Sequence, residues 1–94
     1  MEEKFINAWA QARQKAAALG VRMRPVAPQD AMKQANRMLS GHRESDGFYQ
    51  LVQLGKAELT LEALAINKQF TGLFTDEQAN NALTRLLDAG YTFR

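Results

Sequence analysis

The clearest alternation of apolar and polar positions lies in the second half of the chain, between residues 59 and 90. After Thr75, apolar residues recur at spacings of three and four, as on one buried stripe of a helix. They are Ala79, Ala82, Leu83, Leu86 and Leu87. Thr75 and Gln78 have the spacing of a capping box, and Gly90 is typical of a helix C-terminus. This pattern predicts a helix over residues 75–89.

The segment before it is apolar around most of its circumference. Thr60 is a suitable N-cap, and the expected helix over residues 60–70 leaves few positions for water. These are Glu62, Asn67, Lys68 and Gln69. A short helix of this kind is usually central to a core or covered by a partner. The two helices together predict a hairpin over residues 59–90 around which the rest of the chain packs.

The N-terminal residues 2–19 have the pattern of a longer helix that ends at Gly20. Its predicted inner face consists of Phe5, Trp9, Ala12, Ala16 and Leu19. This face is narrow and rich in alanine after Trp9, so it suits either packing within the domain or close contact with a second copy. A homodimer through the first helix is therefore one of the expected possibilities.

Residues 21–28, with the sequence VRMRPVAP, form a connector that its two prolines hold extended. In an extended segment, Arg22 and Arg24 lie on one side and Val21 and Met23 on the other. Two interpretations stay open: a basic arm for an acidic protein or a nucleic acid, and a solvated link between helices.

Two further helices are expected before the hairpin. Pro28 suits the first position of a helix over 28–40, whose predicted inner stripe is Met32, Ala35 and Leu39. Ser45 is the expected cap of a short helix over 46–54, which turns Phe48, Leu51, Val52 and Leu54 inward. The sequence therefore predicts an all-α fold, a compact bundle of about five short helices in a single domain over residues 1–94. The N-terminal helix covers 1–20, the connector 21–28 and the helical body 28–90.

The amino-acid composition restricts the expected cellular location and the kinds of chemical site that the chain can form. The chain has 94 residues and no cysteine, so disulfides and thiolate metal sites are excluded. No apolar run reaches the ~20 residues that span a bilayer, and MEEKF at the start is unlike a signal peptide, so no membrane partner and a cytoplasmic location are expected.

The charge distribution selects the candidate binding residues. Residues 1–47 carry eight Lys/Arg against five Asp/Glu, net +3, whereas residues 48–94 carry four against five, net −1. An electropositive surface is therefore expected early in the chain. The candidate partner-binding residues are Arg22, Arg24, Lys33, Arg37 and Arg43.

No catalytic residue, metal ligand set or cofactor is predicted. His42 is the single histidine, and its neighbours Glu44 and Asp46 fall in an expected loop, where solvated or capping roles are common. The six glycines form no phosphate-binding loop. Residues 48–70 are long enough for a helix-turn-helix motif. Its recognition helix, however, would begin with apolar and acidic residues in place of residues that contact bases. These observations favour a protein without enzymatic activity.

Residues 35–65 resemble the VbhA-type antitoxins of Fic-domain toxins. The similarity lies in Leu39-Ser40-Gly41, in Gly55 and in the helix start Leu59-Thr60-Leu61-Glu62-Ala63. The inhibitory motif of that family places Ser or Thr four residues before a Glu that precedes Gly or Asn. Here the matching positions are Asn36, Ser40 and Gly41, so the inhibitory glutamate is missing and no functional residue is carried over. The resemblance implies a small helical protein that binds another protein.

The sequence thus favours a non-enzymatic protein-binding protein of bacterial or phage type, such as an inhibitor, antitoxin or adaptor. The alternative is a small DNA-binding regulator that uses the basic N-terminal half.

Overall fold

Five α-helices and three short 3₁₀ turns make up the regular structure of the described residues. A computed structural model of the chain describes residues 2–41, 43–70 and 72–90. The α-helices are α1 (Glu2–Ala18), α2 (Ala31–Ser40), α3 (Phe48–Gln53), α4 (Leu61–Ala65) and α5 (Asp76–Asp88). The 3₁₀ turns are Pro28–Asp30, Ala57–Leu59 and Lys68–Phe70. The predicted all-α bundle is confirmed.

Helix α1 ends in a glycine turn that starts the connector. Gly20 has a φ of +86°, and the backbone N–H of Val21 donates to the carbonyl of Ala16 at 2.9 Å. This is the hydrogen bond of a Schellman motif, which favours glycine because of the positive φ. The predicted inner face is confirmed, with Phe5, Trp9, Ala12 and Ala16 buried. The prediction for Leu19 is wrong: it lies in the turn, off the helical stripe, and is 44% exposed.

The main core joins α1, α2, α4 and α5. Its buried residues are Phe5, Trp9, Ala31, Ala35, Leu39, Leu61, Ala65, Phe70 and Ala82. Phe5 is fully buried. The rings of Phe70 and Phe74 pack edge-to-face against its ring, at centroid distances of 5.3 Å and 5.1 Å. Aromatic pairs prefer this near-perpendicular arrangement. The N-terminal helix is therefore an integral part of the core. Met32, predicted for the inner stripe of α2, is half-buried, and Ala31 is enclosed instead.

The predicted helix over 60–70 is much shorter than expected. Thr60 caps it as predicted, since its Oγ1 accepts from the N–H of Ala63 at 3.1 Å, but α4 ends at Ala65. The Oδ1 of Asn67 then accepts from the N–H of Gln69 at 2.9 Å, which offers the backbone a turn in place of another helical residue. This change of direction brings Phe70 into the core against Phe5.

Glu62 was predicted to face water, and this is wrong. Its carboxylate is fully buried and accepts three hydrogen bonds. The Ser45 N–H donates to Oε2 at 2.9 Å, the Ser45 Oγ to Oε1 at 2.6 Å, and the Arg85 Nη1 to Oε2 at 3.1 Å. A buried charge needs such partners. The cluster ties the loop before α3 to both α4 and α5.

Ser45 is consequently not the cap of α3. That helix begins at Phe48, later than predicted, after Gly47 at φ +75°. Phe48 and Leu51 are buried as expected and Val52 is partly buried, but Leu54 is 52% exposed because α3 ends at Gln53. A Cβ on Gly47 would lie 2.7 Å from the Cγ1 of Val21. Glycine at this position allows the connector to pack closely against the start of α3.

Helix α5 is rotated about its axis, so that it buries a different face from the predicted apolar stripe. The predicted capping box of Thr75 and Gln78 is confirmed, with reciprocal bonds of 3.0 Å and 3.1 Å. The buried positions, however, are Gln78, Ala82 and Leu86, whereas Leu83 and Leu87 are 37% and 54% exposed.

The reason for the rotation is a row of polar side chains that α5 directs at the C-terminal end of α2. The amides of Gln78 and Asn81 donate to the carbonyls of Asn36 and Leu39 at 3.3 Å and 2.9 Å. Arg85 donates to the carbonyls of Met38 and Gly41 at 3.2 Å and 2.6 Å. The last four carbonyls of a helix, which in α2 include those of Met38 and Leu39, have no partner within it. Satisfying them requires the polar flank of α5 to face α2, which moves Leu83 and Leu87 outward.

The described chain has a Cα radius of gyration of 12.0 Å, close to the ~12 Å expected for a compact domain of this length. Among the helices described, none has the length and apolarity that a bilayer span requires.

Candidate partner-binding site

The connector places Arg22 and Arg24 as the sequence predicts. Both side chains are exposed, while Val21 is buried and Met23 half-buried on the other side of the extended segment. The Arg24 Nε lies 3.8 Å from the Oδ2 of Asp46, which also accepts from the Arg24 N–H at 3.3 Å. The Arg24 side chain is 87% exposed, so this ion pair is weak. The two arginines remain available to a partner.

The five predicted residues do not form one surface. Lys33 and Arg37 are exposed one turn apart on α2, and Arg43 is exposed in the loop after it. Arg43 lines a hollow with Phe48 and Tyr49, whereas Arg22 and Arg24 line two other hollows together. Arg22 and Arg24 therefore line the same hollows, whereas Lys33 and Arg37 share an exposed part of α2.

The larger hollow shared by Arg22 and Arg24 is a groove between α1 and the connector, with a volume of about 750 Å³. We call it the arginine groove. Its apolar lining consists of Ala10, Ala17, Val21, Met23, Pro25 and Val26, and its polar lining of Arg13, Gln14, Arg22 and Arg24, with Gly20 at one end. Val21 is the one buried residue of this lining, so the groove is a surface feature. Within the described part of the chain, no carboxylate lines it.

Arg13 is the groove residue that sequence reasoning missed. Its Cζ lies 4.8 Å from the centroid of the Trp9 ring, and its Nη1 donates to the carbonyl of Val26 at 3.5 Å. Burial lowers the pKa of the Arg13 guanidinium from its ordinary value. Its Nε is buried without a hydrogen-bond partner among the described residues. The signal was present in the sequence: residues four apart on a helix are neighbours, and arginine stacks on tryptophan.

The two fixed contacts distinguish Arg13 from the other guanidinium groups of the groove. Stacking on Trp9 restricts the side chain, so less rotamer freedom is lost when it binds an anion. Arg22 and Arg24 are exposed to water, and Arg24 has only the weak ion pair with Asp46. The groove therefore has one cation restricted by packing and two exposed ones, above an apolar floor.

A second hollow of about 310 Å³ lies between α5 and the loop before α3. It is lined by Gly41, Glu44, Tyr49, Asn81, Thr84, Arg85, Asp88 and Ala89. The Tyr49 hydroxyl donates to Oε1 of Glu44 at 3.0 Å. This hydrogen bond is the main reason that the pKa of Tyr49 is raised, with smaller effects of desolvation and of the charges on Glu44 and Asp88.

The described residues contain no cluster of three or more His, Asp or Glu side chains that would hold a metal ion. The prediction about His42 lies outside the described residues. So does the C-terminal tail of residues 91–94, whose rings Tyr91 and Phe93 we expect from the sequence to fold back on the core. Glu62 has a buried and fully paired carboxylate, so it holds the fold together and has no access to a substrate.

No protein family, curated protein or solved structure matches this chain. The interpretation of the arginine groove therefore depends on its own geometry and charge.

Proposed function

We propose that this chain is a non-enzymatic binding protein of bacterial or phage type that acts in the cytoplasm on another protein, as an inhibitor, antitoxin or adaptor. The observation that supports this proposal is the arginine groove. It combines an apolar floor with three guanidinium groups, and arginine beside apolar surface is a combination enriched in protein interfaces.

The proposal is tested by site-specific photocrosslinking in the source cells. A photoreactive phenylalanine analogue replaces Gln14, an exposed residue that lines the groove, or Gln53, an exposed residue at the end of α3. We expect a discrete protein adduct from position 14 and none of the same mass from position 53. If position 14 gives no protein adduct in cells that express the chain, the groove does not bind a protein and the proposal fails.

A DNA-binding regulator is the second candidate, because the five cationic residues predicted from the sequence are all exposed. Binding driven by phosphate contacts weakens steeply with salt. A mobility shift of random duplex DNA at ~50 mM salt that disappears near 200 mM would support this alternative. The absence of any shift at ~50 mM salt would exclude it.

The predicted homodimer through the first helix is a separate question, since the stripe Phe5, Trp9, Ala12 and Ala16 is buried within the chain. Sedimentation over a range of concentrations measures it. A constant monomer mass would remove the dimer from consideration.

A further inference from the structure

We infer that the arginine groove binds a short, extended, acidic segment of the partner protein, with a carboxylate at Arg13 and apolar side chains on the groove floor. This inference rests on the proposed protein-binding function and specifies the chemistry of the partner at that site.

Charge complementarity gives the acidic character. The groove carries three guanidinium groups, and no carboxylate of the described residues lines it. Arg24 has a partner in Asp46, whose Oδ2 lies 3.8 Å from the Arg24 Nε, whereas Arg13 and Arg22 have no ion-pair partner among the described residues. Bringing three like charges together on one groove is unfavourable until an anion binds. A ligand with at least two carboxylates would neutralise them.

Arg13 supplies the anchor. Its guanidinium is held against Trp9 and the Val26 carbonyl, and its Nη2 has no hydrogen-bond partner within the described residues. A planar guanidinium binds a carboxylate with directional, charge-assisted hydrogen bonds. Arg22 and Arg24 lie at the rim, where long-range attraction increases the association rate more than it tightens the complex.

The length of the groove and the apolar residues of its floor indicate the shape of the partner segment. From Ala10 to Ala17 the groove follows α1 over eight residues, whose Cα atoms span about 10 Å along the helix axis. Three extended residues cover about the same length. An extended segment directs alternate side chains to opposite sides, so its acidic side chains would face Arg13 on the α1 side while the apolar ones between them meet Val21, Met23 and Val26 on the connector side.

A protein segment fits this groove better than nucleic acid or a small molecule. Single-stranded nucleic acid binds by stacking bases on exposed aromatic rings, but Trp9 is 3% exposed and covered by Arg13. Small-molecule sites enclose most of their ligand, whereas most of this lining is itself exposed or half-buried. A segment held also by the rest of its protein does not need such enclosure.

The experiment uses the whole chain and a fluorescein-labelled peptide with the core Glu-Leu-Glu-Leu-Glu between glycine-serine ends. Its binding is measured by fluorescence anisotropy at low salt. The matched control peptide replaces each glutamate with glutamine. We expect the acidic peptide to bind at least about tenfold more tightly than the control, because charge-assisted contacts to a held arginine are lost with the carboxylates. Equal binding of the two peptides, or no binding of either, would overturn the inference.

Variants locate the binding. Arg13→Gln should weaken the acidic peptide at least about tenfold, and Arg22→Gln about two- to fivefold, as for an exposed ion pair. Lys15→Gln is the matched control, since Lys15 is an exposed cation of α1 outside the groove lining, and it should leave the affinity unchanged. Arg22 is exposed and makes no tertiary contact through its charge, so its variant is informative even if Arg13→Gln lowers stability. If Lys15→Gln and Arg22→Gln have the same effect, the binding is not at the groove.

Competition separates this inference from the proposed function. The acidic peptide should suppress the photocrosslink from position 14, and the glutamine peptide should not. If a protein adduct persists at saturating acidic peptide, the proposed protein-binding function is still supported, but the inference that the groove binds an acidic segment is overturned. Stronger competition by a single-stranded oligonucleotide would overturn it in favour of nucleic acid, and an adduct with a second copy would overturn it in favour of self-association.

Discussion

Removal of the Glu62 carboxylate is the change from which the structure predicts the largest loss of stability. Glu62→Ala deletes three hydrogen bonds from a group with no solvent exposure. It leaves the Ser45 N–H without its acceptor and the Arg85 guanidinium, whose side chain is 9% exposed, without its counterion. Arg85 retains the carbonyls of Met38 and Gly41, which limits the penalty.

The expected magnitude follows from these contacts. Breaking a buried ion pair by removing one partner costs about 3–5 kcal/mol. The buried Ser45 N–H alone accounts for about 1–3 kcal/mol of this when left unsatisfied. A domain of 94 residues has a free energy of unfolding of roughly 5–14 kcal/mol. Glu62→Ala should therefore remove a large part of the total stability.

Urea denaturation at low temperature, followed by far-UV circular dichroism and by the fluorescence of the single tryptophan, measures this loss. With an m-value of about 1–1.5 kcal/mol/M, the midpoint should fall by roughly 2–5 M. Glu58→Ala is the matched control, because Glu58 is an exposed glutamate four residues earlier, and it should change stability by less than about 0.5 kcal/mol.

A double-mutant cycle with Arg85→Met tests whether the pair is the cause. Once Glu62 is absent, removing Arg85 also removes an unpaired buried charge. The double variant should therefore lose about 0.5–3 kcal/mol less than the sum of the single variants. A cost of Glu62→Ala below about 1 kcal/mol, or strict additivity in the cycle, would refute the reasoning.

Three further predictions concern local features. Gly47→Ala should cost more than Gly55→Ala in the free energy of unfolding: both glycines have positive φ, but a Cβ at 47 meets a valine Cγ1 at 2.7 Å and one at 55 meets nothing within 4 Å. Equal losses would show that the close approach is unimportant. Thr75→Ala should lower stability by about 0.5–2 kcal/mol through loss of the capping box, as measured by thermal unfolding. Glu44→Gln should lower the pKa of Tyr49 towards its ordinary value, as followed by the tyrosine Cζ chemical shift, and an unchanged titration would contradict the hydrogen bond. Because the folded-state pKa of Tyr49 is raised, its small contribution to stability is present at neutral pH and is lost as pH rises through that value.

Prediction of the fold from the sequence succeeded where the signal is local. The caps Thr60 and Thr75 and the helix end at Gly20 depend on hydrogen bonds between residues a few positions apart, and all three are confirmed. The predicted length of α4 was wrong because the Asn67 side chain bonds to the N–H of Gln69 and because Phe70 packs against Phe5, a contact distant in sequence that helical periodicity does not contain. Serine is a common N-cap residue, but the Ser45 hydroxyl donates a hydrogen bond to Glu62, which is 17 positions away in the sequence.

The candidate site was predicted in part for the same reason. Alternation along an extended connector is local, so Arg22 and Arg24 were identified and placed on the correct side. Arg13 was not identified, because its spacing from Trp9 indicates the stacking contact alone, whereas the groove that it lines forms only when the connector packs on α1.

By itself, the sequence determined that this chain is helical, where most helices begin, and which connector residues face water, since capping and periodicity act over three to four residues. The tertiary structure alone decided that Glu62 is buried, that α5 turns its polar flank to α2, and that an arginine groove exists. Each of these depends on partners 13 to 47 residues apart, such as Arg13 with Val26 and Arg85 with Met38. Only the folded chain brings those groups within hydrogen-bonding distance.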